Sequence, residues 1–244
     1  MYVSIIIPTY NRANILRGLL DKLACQTYPS DLFEVLVCSD STDRTEEIVN
    51  KYQADYVIRI FNRGLTTKHC PAVARNIGIY NSNGSLLIFL DDDRYPVPNF
   101  VAEHVKSHKE AIPGKVLVYG PRYGPDLDRL LDLPVTPEKT WDYLRVCIND
   151  WSDAPWQWAK TSNLSVMKEV LLQNGAFDER FQKYGYEDTE LVYRLKKKGY
   201  RFVFNPKVAN IHMHVISPTE QEKKIKDMKY TKRLMKKIHP DFPL

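Results

Sequence analysis

The sequence has no long apolar run. Val3–Ile7 ends at Pro8 after five residues, and no other stretch approaches the length of a membrane span or a secretory leader. Cysteine is sparse: Cys25, Cys38, Cys70 and Cys147 are scattered, with no C-x-x-C pair. Two of them lie in apolar runs, so buried, reduced thiols are expected, and with them a cytoplasmic compartment. Glycine is also scarce, at 10 residues, and Pro8-Thr9-Tyr10-Asn11 after the first apolar run contains none. A glycine-rich phosphate loop, such as opens a sugar nucleotidyltransferase, is thereby excluded there. No internal repeat or low-complexity segment is present.

What remains is an ordinary globular composition. Of the 244 residues 43% are hydrophobic and 27% charged, and the net charge is +5. That excess fits an anionic ligand such as a diphosphate, and nothing in it calls for nucleic acid.

The first half alternates β-rich and helical patterns. Val3–Ile7 reads as a buried strand, followed by a helix from Asn14 to about Cys25. Phe33–Val37 is a second strand. Asp43 then caps a helix, with Glu46 placed for a capping box. Tyr56–Ile60 is a third strand, Ala72–Tyr80 a helix, and Leu86–Leu90 a fourth strand ending in Asp91-Asp92-Asp93. This order implies an α/β fold with a mostly parallel sheet flanked by helices. In such sheets ligands bind at the carboxyl ends of the strands, where Pro8–Asn11, Ser39–Asp43 and Asp91–Asp93 all fall. The proline-rich stretch Pro113–Pro137 reads as a long loop or a change of subregion. Glu187–Lys198 reads as a helix ended by Gly199, Tyr200–Phe204 as a strand, and Thr219–Ile238 as a basic helical tail.

Three adjacent carboxylates repel one another unless a cation compensates them, so Asp91–Asp93 is either a divalent-metal site or a solvated acidic turn. Glu187-Asp188 stands where a helix dipole favours carboxylates, and alone it would be no more than a cap. His212 and His214 would suit a borderline cation such as Mn²⁺ better than Mg²⁺, although an isolated histidine is more often structural. All four tryptophans lie between Trp141 and Trp158. Pro155 beside Trp151, Trp156 and Trp158 favours a loop, with sugar stacking and core packing both open.

Together these pieces resemble glycosyltransferase family 2, with its GT-A, Rossmann-like fold. The carriers, in order, are V-S-I-I-I-P-T-Y-N-R at the start, S-T-D-R-T at 41–45, N-R-G at 62–64 and A-R-N-I-G at 74–78. They continue with F-L-D-D-D at 89–93, T-S-N-L-S at 161–165, G-A-F-D-E-R-F at 175–181 and Y-E-D-T-E-L at 186–191. The resemblance covers Val3 to His214. It implies an inverting, metal-dependent enzyme that moves one hexosyl or N-acetylhexosaminyl group from a nucleotide-sugar to an acceptor hydroxyl.

By that resemblance Pro8, Thr9 and Tyr10 border the base, and Asn62 and Arg75 face the base or diphosphate. Asp91 and Asp93 are the outer carboxylates of the D-x-D motif, with Asp92 between them. Asp93 is the metal ligand; Asp91 contacts ribose or donor sugar and stands second for the metal. The metal is Mn²⁺ or Mg²⁺, and His212 matches the late metal-contacting histidine better than His214. Asp188 matches the catalytic base, with Glu187 as its partner in the pair. Ser39 stands where the family often has an aspartate that contacts uracil; Asp40 could substitute, and UDP is the default nucleotide. The absence of Q-x-x-R-W argues against a processive polymerase. Trp156 and Trp158 are expected on the acceptor, which would be a glycan, a lipid-linked sugar or a small molecule.

Residues 1–110 are expected to bind the nucleotide-sugar, residues 111–215 to build the acceptor and catalytic sites, and residues 216–244 to form the tail. In the tail Ile225, Met228, Met235 and Ile238 form a narrow apolar stripe among eight cations between Lys223 and Lys237. Packing of the stripe on the domain is favoured over contact with the inner face of a membrane. A catalytically silent sugar-nucleotide-binding protein of the same fold is the alternative reading.

Overall fold

Every residue from Val3 to Thr9 is buried, so the first strand has both faces covered. Side chains alternate across it: Val3, Ile5 and Ile7 enter one core, and Ile6 enters another on the opposite face. The computed structural model describes residues 1–64, 70–111, 115–124, 154–214 and 217–243.

In chain order the elements are β1 (Val3–Thr9), α1 (Ala13–Ala24), β2 (Phe33–Ser39), α2 (Thr45–Lys51), β3 (Val57–Asn62), α3 (Pro71–Asn81), β4 (Leu86–Phe89), β5 (Arg94–Pro96) and α4 (Phe100–Glu110). There follow β6 (Val116–Tyr119), β7 (Arg122–Tyr123), β8 (Leu164–Met167), α5 (Lys168–Asn174), α6 (Glu187–Lys197), β9 (Arg201–Phe204), β10 (Asn210–His212) and α7 (Pro218–Ile238). The main sheet runs β3-β2-β1-β4-β8-β6-β9, parallel except for β8, and β5-β10-β7 forms a small second sheet. The expected α/β architecture is present. The strand order reverses between β1 and β4, which lie in parallel register from Val3↔Leu86 to Ile6↔Phe89. That reversal opens a crevice at the carboxyl ends of the two strands.

Some boundaries differ from the sequence expectation. Helix α2 starts at Thr45, and Asp43 precedes it instead of capping in a box. One Asp43 oxygen accepts the Thr45 N–H at 3.0 Å and the other accepts the Ala13 N–H at 3.2 Å, so this side chain ties the starts of α1 and α2 together. Glu46 accepts from Asn62 Nδ2 at 2.9 Å instead of closing a box. The proline-rich stretch is not all loop: β6 lies within it and joins the main sheet between β8 and β9. Its apolar run Val116-Leu117-Val118 carries the strand, and Pro121 lies just beyond its end. Gly199, at φ +83°, follows the end of α6 as expected, since a left-handed residue there suits glycine.

Helix α7 starts with a capping box between Ser217 and Glu220. Its Met235 is fully buried in a cluster with Phe181, Tyr193 and Phe242. Ile225 and Met228, the other half of the stripe, remain 48% and 42% exposed. Cys38 and Cys70 are buried, Cys25 is exposed, and all three are free thiols; Cys147 lies outside the described residues, as do Trp141 and Trp151. Among the described residues no helix is long and apolar enough to cross a membrane.

Candidate active site

The crevice is walled by the loop after β1. Asn11, at φ +52°, donates its N–H to Ser41 Oγ at 2.8 Å and accepts the Thr42 N–H at 2.8 Å, locking this loop to the one after β2. An asparagine tolerates that left-handed backbone better than most residues do.

Each carboxylate of the acidic triplet has a separate set of partners. Asp91 Oδ1 takes Arg75 Nη2 at 2.9 Å. Asp92, buried at the switch point, accepts from Thr9 Oγ1 at 2.7 Å and Arg12 Nη1 at 3.0 Å. Burial pushes Asp92 up to about 7, aided by the neighbouring Asp93 charge and opposed by Arg12. Asp93 Oδ2 meets Arg12 Nη1 at 2.7 Å and His212 Nε2 at 3.3 Å. Burial works to raise Asp93 too, but His212, Arg12 and Arg94 overcome it and hold this carboxyl well below its usual range. His212 reaches Asp93 because β10 pairs antiparallel with β5, setting His212 opposite Arg94. His214 turns away, to Glu220 at 3.3 Å.

The second carboxylate pair enters from the start of α6. Gly185 and Tyr186, at φ +94° and +69°, make the sharp turn that aims this helix end at the crevice. Glu187 is buried and meets Arg75 Nη1 at 3.2 Å, while its other oxygen, also buried, has no hydrogen-bond partner. Burial and the adjacent Asp188 raise its pKa. Asp188 lies in reach of Lys160 Nζ at 3.8 Å and accepts from Thr189 Oγ1 at 3.2 Å, and Lys160 donates to Thr189 Oγ1 at 2.9 Å. Burial opposes ionisation of Asp188, but Lys160, Arg75 and Arg122 outweigh it and keep the pKa low. Arg75 is the centre of this arrangement. From α3 it bridges the end of β4 to the start of α6.

The structure thus brings together Thr9, Arg75, Asp91, Asp92, Asp93, Glu187, Asp188 and His212. Pro8 is buried in β1 and Tyr10 is 42% exposed at the crevice edge. Ser39 Oγ accepts the Ser41 N–H at 3.0 Å, and Arg63 grips both Asp40 oxygens at 2.6 and 2.7 Å. Asn62 is exposed at the end of β3. The Trp156 ring packs against Tyr193 and Phe242, with centroids 5.5 and 6.2 Å away, and Trp158, two residues on, is partly buried against the main core. Sequence reasoning missed Arg12, Lys160 and Arg63, whose partners lie 80, 28 and 23 positions away. A cation beside the first strand end, facing three aspartates at the fourth, was the available signal for Arg12.

The fit of a divalent cation follows from this donor set. Among the described residues no three His, Cys, Asp or Glu side chains converge as a closed metal cage. Asp93 and His212 lie together, a carboxylate and an imidazole that would suit a borderline divalent cation. These two residues therefore fit a divalent cation.

Comparison with known proteins defines the family and the fold. The glycosyl transferase family 2 model matches residues 4–154, and the chain belongs to that family. It is 34% identical over 223 residues to a validoxylamine A glucosyltransferase of Streptomyces hygroscopicus subsp. jinggangensis, covering 81% of this chain and 52% of the relative. The chain thus spans about half the length of that relative. In fold it resembles S. aureus TarS 1-349 in complex with UDP-GlcNAc, with TM-score 0.71, 20% identity, and coverage of 96% and 65% of the two chains. It also resembles the mannosyltransferase PcManGT from Pyrobaculum calidifontis in complex with GDP-Man and Mn²⁺, with TM-score 0.69, 24% identity, and coverage of 88% and 57%. These solved structures share the GT-A fold.

Proposed function

We propose that the protein is an inverting, metal-dependent, non-processive glycosyltransferase that moves one hexosyl or N-acetylhexosaminyl group from a nucleotide-sugar to an acceptor hydroxyl. The observation that carries this reading is Arg75. Its guanidinium holds Asp91, at the donor end of the crevice, and Glu187, beside Asp188, in one rigid frame. A donor bound over Asp91 and an acceptor hydroxyl over Asp188 would then meet at a fixed distance.

Asp188 is the general base. Its lowered pKa keeps it ionised at neutral pH, so it accepts the hydroxyl proton late, as the new bond to the anomeric carbon forms opposite the leaving diphosphate. Lys160 and Thr189 orient that carboxylate. Asp93, and His212 behind it, would hold Mn²⁺ or Mg²⁺, with Asp91 toward ribose or sugar. The cation supplies Lewis-acid neutralisation of charge developing on the leaving nucleotide. Pro8, Thr9, Tyr10, Ser39, Asp40 and Asn62 border the base. UDP is the nucleotide favoured by the sequence motif; among the fold neighbours TarS carries UDP-GlcNAc and PcManGT carries GDP-Man, so GDP is the competing nucleotide. Residues 1–110 serve the donor and 111–215 the acceptor, with Trp158 toward the acceptor and Trp156 bracing it. A cytoplasmic location is part of the same reading, with packing of the tail on the domain favoured over contact with a membrane.

Consumption of UDP-sugars with Mn²⁺ tests this. Asp188→Asn should keep donor affinity and lower turnover by roughly 10²–10⁴-fold, the range for a lost general base. If the wild type binds UDP-sugars but never turns them over with any acceptor or water, the catalytically silent alternative is correct.

A further inference from the structure

Arg12 sits at an unusual junction. One nitrogen, Nη1, lies 3.0 Å from Asp92 and 2.7 Å from Asp93 Oδ2. The same Asp93 oxygen is the atom on which His212 converges. Each carboxylate of the triplet already faces one of the chain's own cations, with Arg75 on Asp91, Arg12 on the other two and Arg94 Nε 3.9 Å from Asp93 Oδ1. A divalent ion placed on Asp93 Oδ2 would stand beside a guanidinium on the same oxygen, and the two would repel strongly in this buried setting. Arg12 is the most open of the three side chains. Its side chain is 25% exposed, against 5% and 9% for Asp92 and Asp93, and on leaving Asp93 it retains Asp92 as a partner.

We propose that Arg12 makes metal loading conditional on the nucleotide diphosphate. The inference rests on the reading of Asp93 and His212 as metal ligands. Without nucleotide, Arg12 bridges Asp92 and Asp93 and keeps the metal off. A diphosphate brings enough negative charge to accommodate both cations; Arg12 then pairs with Asp92 alone and Asp93 is released to the metal. Arg12 is a positioning residue in this scheme. Metal and nucleotide are positively coupled, and by linkage each raises the affinity of the other by the same factor. The device keeps a nucleotide-free site from holding a metal ion with nothing to act on.

The test is Mn²⁺ binding to the full chain, read as loss of the free-ion electron paramagnetic resonance signal, with and without UDP. Wild type should bind Mn²⁺ weakly alone and much more tightly with saturating UDP. In Arg12→Met the affinity for Mn²⁺ alone should rise by about tenfold or more, and the enhancement by UDP should shrink correspondingly. Arg12→Lys should keep most of the wild-type coupling. Arg12→Gln, which retains a donor for Asp92, carries the same expectation as Arg12→Met and replaces it if that variant fails to fold. A merely structural role would lower metal affinity or leave it alone. The proposal is overturned if both neutral variants, folded by circular dichroism, bind Mn²⁺ alone no better than wild type while wild type still gains affinity with UDP. If wild type binds no Mn²⁺ with either UDP or GDP, the metal site itself is wrong, and this inference falls with it.

Discussion

Arg75→Met is the perturbation whose cost the structure defines best. The Arg75 side chain is 5% exposed and faces two carboxylates of different burial, Glu187 at 8% and Asp91 at 32%. Losing the partner of Asp91 should cost little, under about 1 kcal/mol, because water screens a carboxylate that open. Losing the partner of Glu187 leaves a buried charge uncompensated beside Asp188, a change that costs about 3–5 kcal/mol. For a chain of this size each kcal/mol lowers Tm by about 2–4 °C, so the expected fall is roughly 6–20 °C. The cost should depend on pH. Glu187 already titrates above its ordinary range in the fold, so as pH rises from about 4.3 the unfolded chain gives up this proton first and stability declines. Without Arg75 that decline steepens, and the variant should be penalised more at pH 8 than at pH 5. Urea unfolding at the two pH values measures both effects, and Arg75→Met/Glu187→Gln should recover much of the loss. A loss below 1 kcal/mol at pH 8, or one independent of pH, would refute the view of Arg75 as the brace of the site.

Two further outcomes are expected. His104 and His108 on α4 share the buried Ser165 hydroxyl at 2.8 and 2.9 Å, and burial pushes their pKa values down to about 3 and about 4. They stay neutral in the fold while the unfolded chain protonates below about 6.5, so stability is intact above that pH and should fall by about 2 kcal/mol per histidine by pH 5. Denaturation curves of wild type and His108→Gln check this, and the variant should lose about half of the pH dependence. For the tail, Met235 is committed to the body of the protein and only Ile225 and Met228 of the stripe stay exposed beside the lysines, so contact of α7 with anionic liposomes should be mainly electrostatic and vanish at physiological salt. Sedimentation that persists at that salt concentration, and is lost on truncating the tail, would contradict this.

The legible parts of the fold were those with strong local signals. β1, β2 and β4 are buried on both faces and therefore appear as unbroken apolar runs. α3 and α6 carry clear ends, Pro71 at the start of one and Gly199 after the other. Helix α4 was missed because His104, Ser107 and His108 lie on its buried side, so its pattern does not read as amphipathic. β5, β7 and β10 hold two or three residues each, too few for any periodicity, and exist through their pairing with one another. The same limit applies to the site. Asp93, Asp188 and His212 were identifiable as residue types in motifs, whereas the bridging by Arg12 and Arg75 depends on contacts between distant segments. Asp43 shows the local version: its sequence neighbours suggested a cap, and its actual second partner is the Ala13 N–H, from another helix.

The central claim is sugar transfer with inversion at the anomeric carbon, driven by Asp188. Proton NMR of the first sugar product formed from an α-linked UDP-sugar with Mn²⁺ tests it most directly. The account predicts that the β-anomer appears first and that its formation drops at least a hundredfold in Asp188→Asn. An α-anomer as first product, or unchanged turnover in Asp188→Asn, would contradict it.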